Sequence, residues 1–152
     1  MKIKHLFILI LACSLYSACD KQNEQCQALP MALQILSANV RIVDKTTGAD
    51  LFLSPTSPYK LSDLSVTSSV AGSNVTLLVD SSQKDKRLVR IIGNETQTFI
   101  LKLAALPPDT VHMDVSVTQG RCYSTSQVST ITLNKKGVCA PCSFSDMVTI
   151  SK

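Results

Sequence analysis

The feature that most constrains this chain is a two-residue alternation of apolar and polar side chains. It is clearest in Val111–Thr118, where Val111, Met113, Val115 and Val117 share one parity and His112, Asp114, Ser116 and Thr118 the other. Successive side chains of an extended strand point to opposite faces, so such a run buries one face and wets the other. Leu36, Ala38, Val40 and Ile42 repeat the pattern, as do Leu64 and Val66, then Val75, Leu77 and Val79, then Val89 and Ile91. Phe99, Leu101 and Leu103 follow, then Ile131 and Leu133, then Val148 and Ile150. Turn-forming residues separate the runs at Thr47-Gly48, Ser54–Pro58, Gly72–Asn74, Gly93-Asn94, Pro107–Asp109 and Lys135–Gly137. Past residue 30 no long apolar stripe recurs at helical period, although Tyr59–Leu64 has room for a single helical turn.

These runs predict an all-β chain: an antiparallel β-sandwich of about 7–9 strands, immunoglobulin-like or transthyretin-like, with a closed barrel as the other arrangement. The abundance of Val, Ile, Leu, Ser and Thr agrees with strands rather than helices. Aromatic residues are few, with 3 Tyr, 4 Phe and no Trp, which leaves little for stacking on sugars or bases. A net charge of +4 is too small a field for nucleic-acid binding, so that class of partner is not expected. The basic stretch Lys84-Asp85-Lys86-Arg87, with Arg90, reads as a solvated hairpin tip.

The N-terminus carries the most specific motif. Met1–Lys4 is basic, and Leu6–Ala12 is an apolar run too short to span a bilayer as a stable helix. Ser17-Ala18-Cys19 follows, with Tyr16 where the family pattern usually has Leu. The segment resembles the lipobox of bacterial lipoproteins. That resemblance implies a signal peptide over 1–18, acylation of Cys19 and a lipidated polar tether over 19–30 ahead of a sandwich domain over 31–152. The run Ser17–Lys21 with its polar continuation to Gln27 looks like small lipoproteins of the Bacteroidota. It implies a bacterial outer membrane address, on the periplasmic or the cell-surface face. Removing 18 residues from 152 leaves 134, enough for one core.

Four cysteines then remain: Cys26, Cys122, Cys139 and Cys142. An even number in an exported chain reads as two disulfides, and four cysteines allow three connectivities. The preferred pairing is Cys122–Cys139 with Cys26–Cys142, because bonding Cys139 to Cys142 closes a very small ring. A sharper reading takes Cys139-Ala140-Pro141-Cys142 as a redox pair. That chemistry needs a thiolate stabilised at a helix N-terminus, and no helical pattern follows Cys142.

Other constellations are weaker. His112, Asp114 and Ser116 share a strand face, but the carboxylate lies between the other two, the wrong order for a triad. Asp44–Asp50 has too few carboxylates for a calcium loop and reads as a hairpin turn with Gly48 at positive φ. Val43–Leu51 is similar to the opening of carboxypeptidase-regulatory-like domains, which implies a sandwich. Asp109-Thr110-Val111 looks like the Bacteroidota O-glycosylation pattern and follows Pro107-Pro108, so Thr110 is a candidate for modification in an exposed turn. No metal site, cofactor or catalytic residue is expected. The reading is a non-catalytic binding or structural accessory of the cell envelope, anchored to the membrane through Cys19 and meeting a protein or glycan partner. The alternatives are a thiol–disulfide oxidoreductase using Cys139 and Cys142, and an inhibitor of hydrolases.

Overall fold

The alternating runs form strands that share one core. The computed structural model describes residues 35–51, 53–73, 75–80 and 87–152. The expected signal peptide, Cys19, the tether and Cys26 lie outside these residues. The strands are β1 (Leu36–Val43), β2 (Leu64–Ser68), β3 (Thr76–Asp80), β4 (Leu88–Gly93), β5 (Gln97–Leu103), β6 (Asp109–Gln119), β7 (Ser124–Leu133), β8 (Lys136–Cys139) and β9 (Met147–Ser151). Among the described residues helix is confined to one 3-10 turn, Leu61–Asp63, inside the segment with room for it.

One sheet has the order β3-β4-β1-β9 and the other β2-β5-β6-β7-β8. From the first sheet Ala38, Val40 and Ile42, Val89 and Ile91, and Val148 and Ile150 turn inward. They meet Phe99, Leu101, Leu103, Val111, Met113 and Ile131 of the second in a single buried cluster. Burying each of the larger side chains favours folding by roughly 1.5–3 kcal/mol, which makes this alternation the main determinant of the architecture. Nine strands in two sheets agree with the expected all-β chain.

The strands are not all antiparallel, as the alternation alone led us to expect. β1 and β9 run parallel, with Val40 opposite Val148 and Ile42 opposite Ile150, while β1 and β4 are antiparallel. Period-two patterning records which face is buried and carries no information on strand direction. Two further differences arise at β6–β8. A two-residue loop, Asn134 and Lys135, joins β7 to β8 with φ of 50° and 67°, so the turn lies one residue earlier than the Lys135–Gly137 cluster suggested. Positive φ at both central residues is the conformation that continues a twisted hairpin, and it frees Lys136–Cys139 to pair as a strand.

The second difference is Val117, expected on the core face and found 59% exposed. β5 pairs with β6 only as far as Met113. Between Asp114 and Val115 the β6–β7 register shifts by a bulge, beyond which β6 and β7 continue as a two-stranded arm to Gln119 and Ser124. A bulge bends the ladder locally. The parity of the run therefore survives, but among the described residues no third strand pairs with the arm.

Gly93 closes β4 on the core side. A Cβ there would meet the Gln97 amide, the Met113 methyl at 2.8 Å and the Phe99 ring at 3.0 Å. Gly93→Ala should therefore overpack the core and lower stability by about 1–3 kcal/mol, read as a fall in the urea midpoint. Gly137→Ala, where a Cβ meets nothing within 4 Å, should leave the midpoint unchanged or slightly raised. Equal losses at both positions would contradict this packing.

Candidate functional site

The chain between β8 and β9 is tied down by a disulfide and by hydrogen bonds to β1. Cys139, the last residue of β8, is bonded to Cys142, with their Cα atoms 5.0 Å apart. This corrects the expected Cys122–Cys139 and Cys26–Cys142 pairing. The objection to a small ring fails because the backbone turns sharply enough to bring both cysteines within the usual Cα range. Cys122, in the turn of the β6–β7 arm, is disulfide-bonded as well.

Immediately after the ring, Ser143 N–H donates to Asp146 Oδ2 at 2.6 Å and Asp146 N–H to Ser143 O at 3.1 Å, a closed turn rather than a helix. The polar outer face of β1 holds this turn in place. Asn39, only 4% exposed, donates from Nδ2 to Phe144 O at 2.7 Å and to Asp146 O at 3.2 Å. Its Oδ1 accepts from Arg90 Nε at 3.1 Å, and the Arg90 guanidinium lies 4.5 Å from the centroid of the Phe144 ring. Strand register explains the meeting, since Asn39 lies opposite Arg90 on β4 and opposite Met147 on β9. A buried amide with its polar atoms engaged specifies one arrangement of the loop.

Phe144 is left 65% exposed at the rim of a groove of about 410 Å³. The floor and walls are Ile35, Leu36 and Ser37 at the start of β1, Ser126–Val128 at the base of the arm, Ile131, and Cys142 and Ser143 of the loop. Ser37 Oγ is buried with no hydrogen-bond partner. A mostly apolar concavity with a few polar groups is the usual form of a binding site. Sequence reading missed Ser37, Asn39 and Phe144. The one trace it had was Asn39 itself, a residue type depleted in strands, on the polar parity of β1.

On the opposite sheet His112 joins residues that lie apart in the sequence. Its Nδ1 is 2.9 Å from Thr98 Oγ1, directly across on β5, and its Nε2 is 3.1 Å from Asp114 Oδ1. Since an ionised carboxylate only accepts, the neutral ring carries its proton on Nε2 and Nδ1 accepts from the Thr98 hydroxyl. The imidazole thus bridges hydroxyl and carboxylate, which strand-wise reading could not show because Thr98 arrives by sheet pairing. Ser116 is not part of this line, and its Oγ is buried without a hydrogen-bond partner.

The remaining candidates lie at three places in the fold. Asp44 Oδ1 accepts from Thr46 N–H at 2.9 Å, Thr47 N–H at 2.7 Å and Thr47 Oγ1 at 2.9 Å. The hydrogen bonds from Thr47 and Thr46 hold the Asp44 carboxyl below its ordinary value. Gly48 has φ +70°, so Asp44–Asp50 is the expected hairpin turn, with Asp44 engaged by its own loop. Thr110 lies within β6 rather than in an exposed turn. It is half-buried, pairs with Ile100 through the backbone, and its N–H and hydroxyl both face Asn134 Oδ1. Cys139, Cys142 and Asp146 form the one cluster of potential metal ligands found among the described residues, but both sulfurs are consumed by their bond to each other.

If Asn39 holds the loop, Asn39→Ala should cost about 1–3 kcal/mol, because two loop carbonyls and Arg90 lose their partner. Hydrogen exchange should also quicken across residues 143–146; an unchanged loop would contradict the role. Comparison with family models, with curated proteins and with solved structures gives no match for this chain.

Proposed function

We propose that this chain is a lipid-anchored protein of the bacterial outer membrane whose sandwich acts as a non-catalytic binding module. It would be held through acylated Cys19 and the tether over 19–30. The groove beneath Phe144 is the observation that carries the reading: an apolar concavity with an exposed aromatic rim and a spare hydroxyl at Ser37. A polypeptide segment of another envelope protein suits it better than a glycan. Exposed aromatics for stacking on sugar are scarce, whereas a peptide brings both an apolar side chain and backbone groups for Ser37. Of the two sandwich families, transthyretin-like is the better fit. β1 lies inside its sheet between β4 and β9, whereas the first strand of an immunoglobulin domain takes the edge position.

Chemical arguments support a non-catalytic role. The Thr98–His112–Asp114 line does not have the Thr98 N–H to offer as an oxyanion donor, because that N–H is taken by Ser69 Oγ at 3.0 Å. Without such donors the tetrahedral charge of acyl transfer goes unstabilised. The oxidoreductase alternative is favoured by one observation, a bonded Cys-Ala-Pro-Cys ring. Against it, Asp146 places a carboxylate oxygen within 4.8 Å of the sulfurs, which disfavours the thiolate that disulfide exchange requires.

The anchoring is tested by proteinase treatment of intact and lysed cells carrying a C-terminally tagged chain, with Cys19→Ala beside it. We expect membrane-bound wild type and a released Cys19→Ala variant; digestion on intact cells would put the domain at the surface, and protection until lysis in the periplasm. Unchanged membrane association of Cys19→Ala would overturn the lipoprotein reading. Insulin reduction abolished by Cys139→Ser would replace the binding reading with the oxidoreductase one.

A further inference from the structure

A second concavity, of about 430 Å³, opens at the other end of β1 and shares no lining residue with the groove. Arg41, Ala49, Asp50, Ser54, Pro55 and Arg87 line it. Two of the four arginines of the chain therefore converge on one pocket. Arg41 reaches it from the polar face of β1, and Arg87 from the residue just before β4. Arg87 is fixed by a bond from Nη1 to Leu53 O at 2.6 Å, and Arg41 Nε lies 3.7 Å from Asp50 Oδ2. The wall opposite is also fixed. Asp50 Oδ1 accepts from Leu53 N–H at 2.7 Å, and Ser57 Oγ donates to Asp50 O at 2.9 Å.

The two guanidiniums are under-used. Each carries five N–H donors, and the only donor with a hydrogen bond to the described residues is Arg87 Nη1. The Nε atoms of both are buried without a hydrogen-bond partner. Desolvated donors with no acceptor are unfavourable, and with 29% of the Arg41 side chain exposed the guanidinium ends, rather than the buried Nε atoms, are open to an oxyanion entering the pocket. The lining carries two guanidiniums and the Asp50 carboxylate, a formal charge of +1. A monoanionic carboxylate neutralises it, whereas a phosphate dianion overshoots and faces the Asp50 carboxylate.

We propose that Arg41 and Arg87 form a binding site for a carboxylate group, with the Ser54 hydroxyl at its rim. The site goes beyond the groove reading and does not depend on it. Its ligand is a small free acid or an acidic side chain of a polypeptide, which share this chemistry. Arg90 serves as an internal control, since it is held by Asn39 and Phe144 and does not line the pocket.

The test is titration of the isotope-labelled protein with sodium glucuronate, with a blocked tetraglutamate peptide, with glucose and with inorganic phosphate, followed at the arginine Nε–Hε resonances. Saturable shifts of Arg41 and Arg87 with glucuronate or the peptide, and none with glucose, are expected; the tighter of the two acids identifies the source. Arg41→Gln and Arg87→Gln should each weaken binding at least about tenfold, the scale of one charge-assisted pair. Arg87→Lys should also weaken it, because the charge stays and the fork is lost. Arg90→Gln should bind as wild type does. The site is refuted if neither acid shifts the wild-type resonances, if Arg90→Gln loses binding as Arg87→Gln does, or if phosphate binds more tightly than both acids. Phe144→Ala should leave these shifts intact, so a failure here leaves the groove reading standing and the reverse also holds.

Discussion

The structure depends on β1, a strand paired on both sides whose two faces both carry function-bearing or core residues. Its even-numbered residues Leu36, Ala38, Val40 and Ile42 enter the core, and β4 and β9 flank it along its length. Its odd-numbered residues do the opposite work. Ser37 lines the groove, Asn39 pins the β8–β9 loop, and Arg41 enters the arginine pocket. One strand thus couples the folding free energy to the placement of every binding feature described above. The coupling follows from pleat geometry, because neighbouring residues cannot share a face.

The parallel β1–β9 pair has a second consequence. The first and last strands of the domain lie side by side, so the loop before β9 is brought over the polar face of β1. Asn39 can meet the carbonyls of Phe144 and Asp146 across more than a hundred residues of sequence only because of this pairing. The same closure brings Lys152 to Asp109, with Asn134 Nδ2 also on that carboxylate at 2.8 Å. Polar contacts of this kind add little by area but discriminate one register from another.

Much of the fold was legible in the sequence, for a specific reason. Burial parity is written in alternating runs such as Phe99–Leu103 and Val111–Met113, and turn residues such as Gly48 mark where the chain reverses. What period two cannot encode is partner and direction. β9 lies beside β1 and parallel to it, β8 is too short and too poor in apolar residues to announce itself, and the bulge at Asp114/Val115 leaves Val117 uncovered. The candidate sites were less legible still, because each joins residues from different strands. Thr98 meets His112, Arg90 meets Phe144, and Arg41 meets Arg87 only after the sheets form. Cysteine pairing failed for the same reason: spacing gives ring size, while the path of the backbone decides which sulfurs meet.

The most direct test of β1 as the organising strand is native-state hydrogen exchange across the described strands. The account predicts that the paired amides of β1, together with those of β4 and β9 facing it, exchange only through global unfolding, while the β6–β7 arm beyond Val115 opens at lower free energy. Exchange of β1 or β9 amides through a cheaper local opening, with the second sheet still protected, would contradict it.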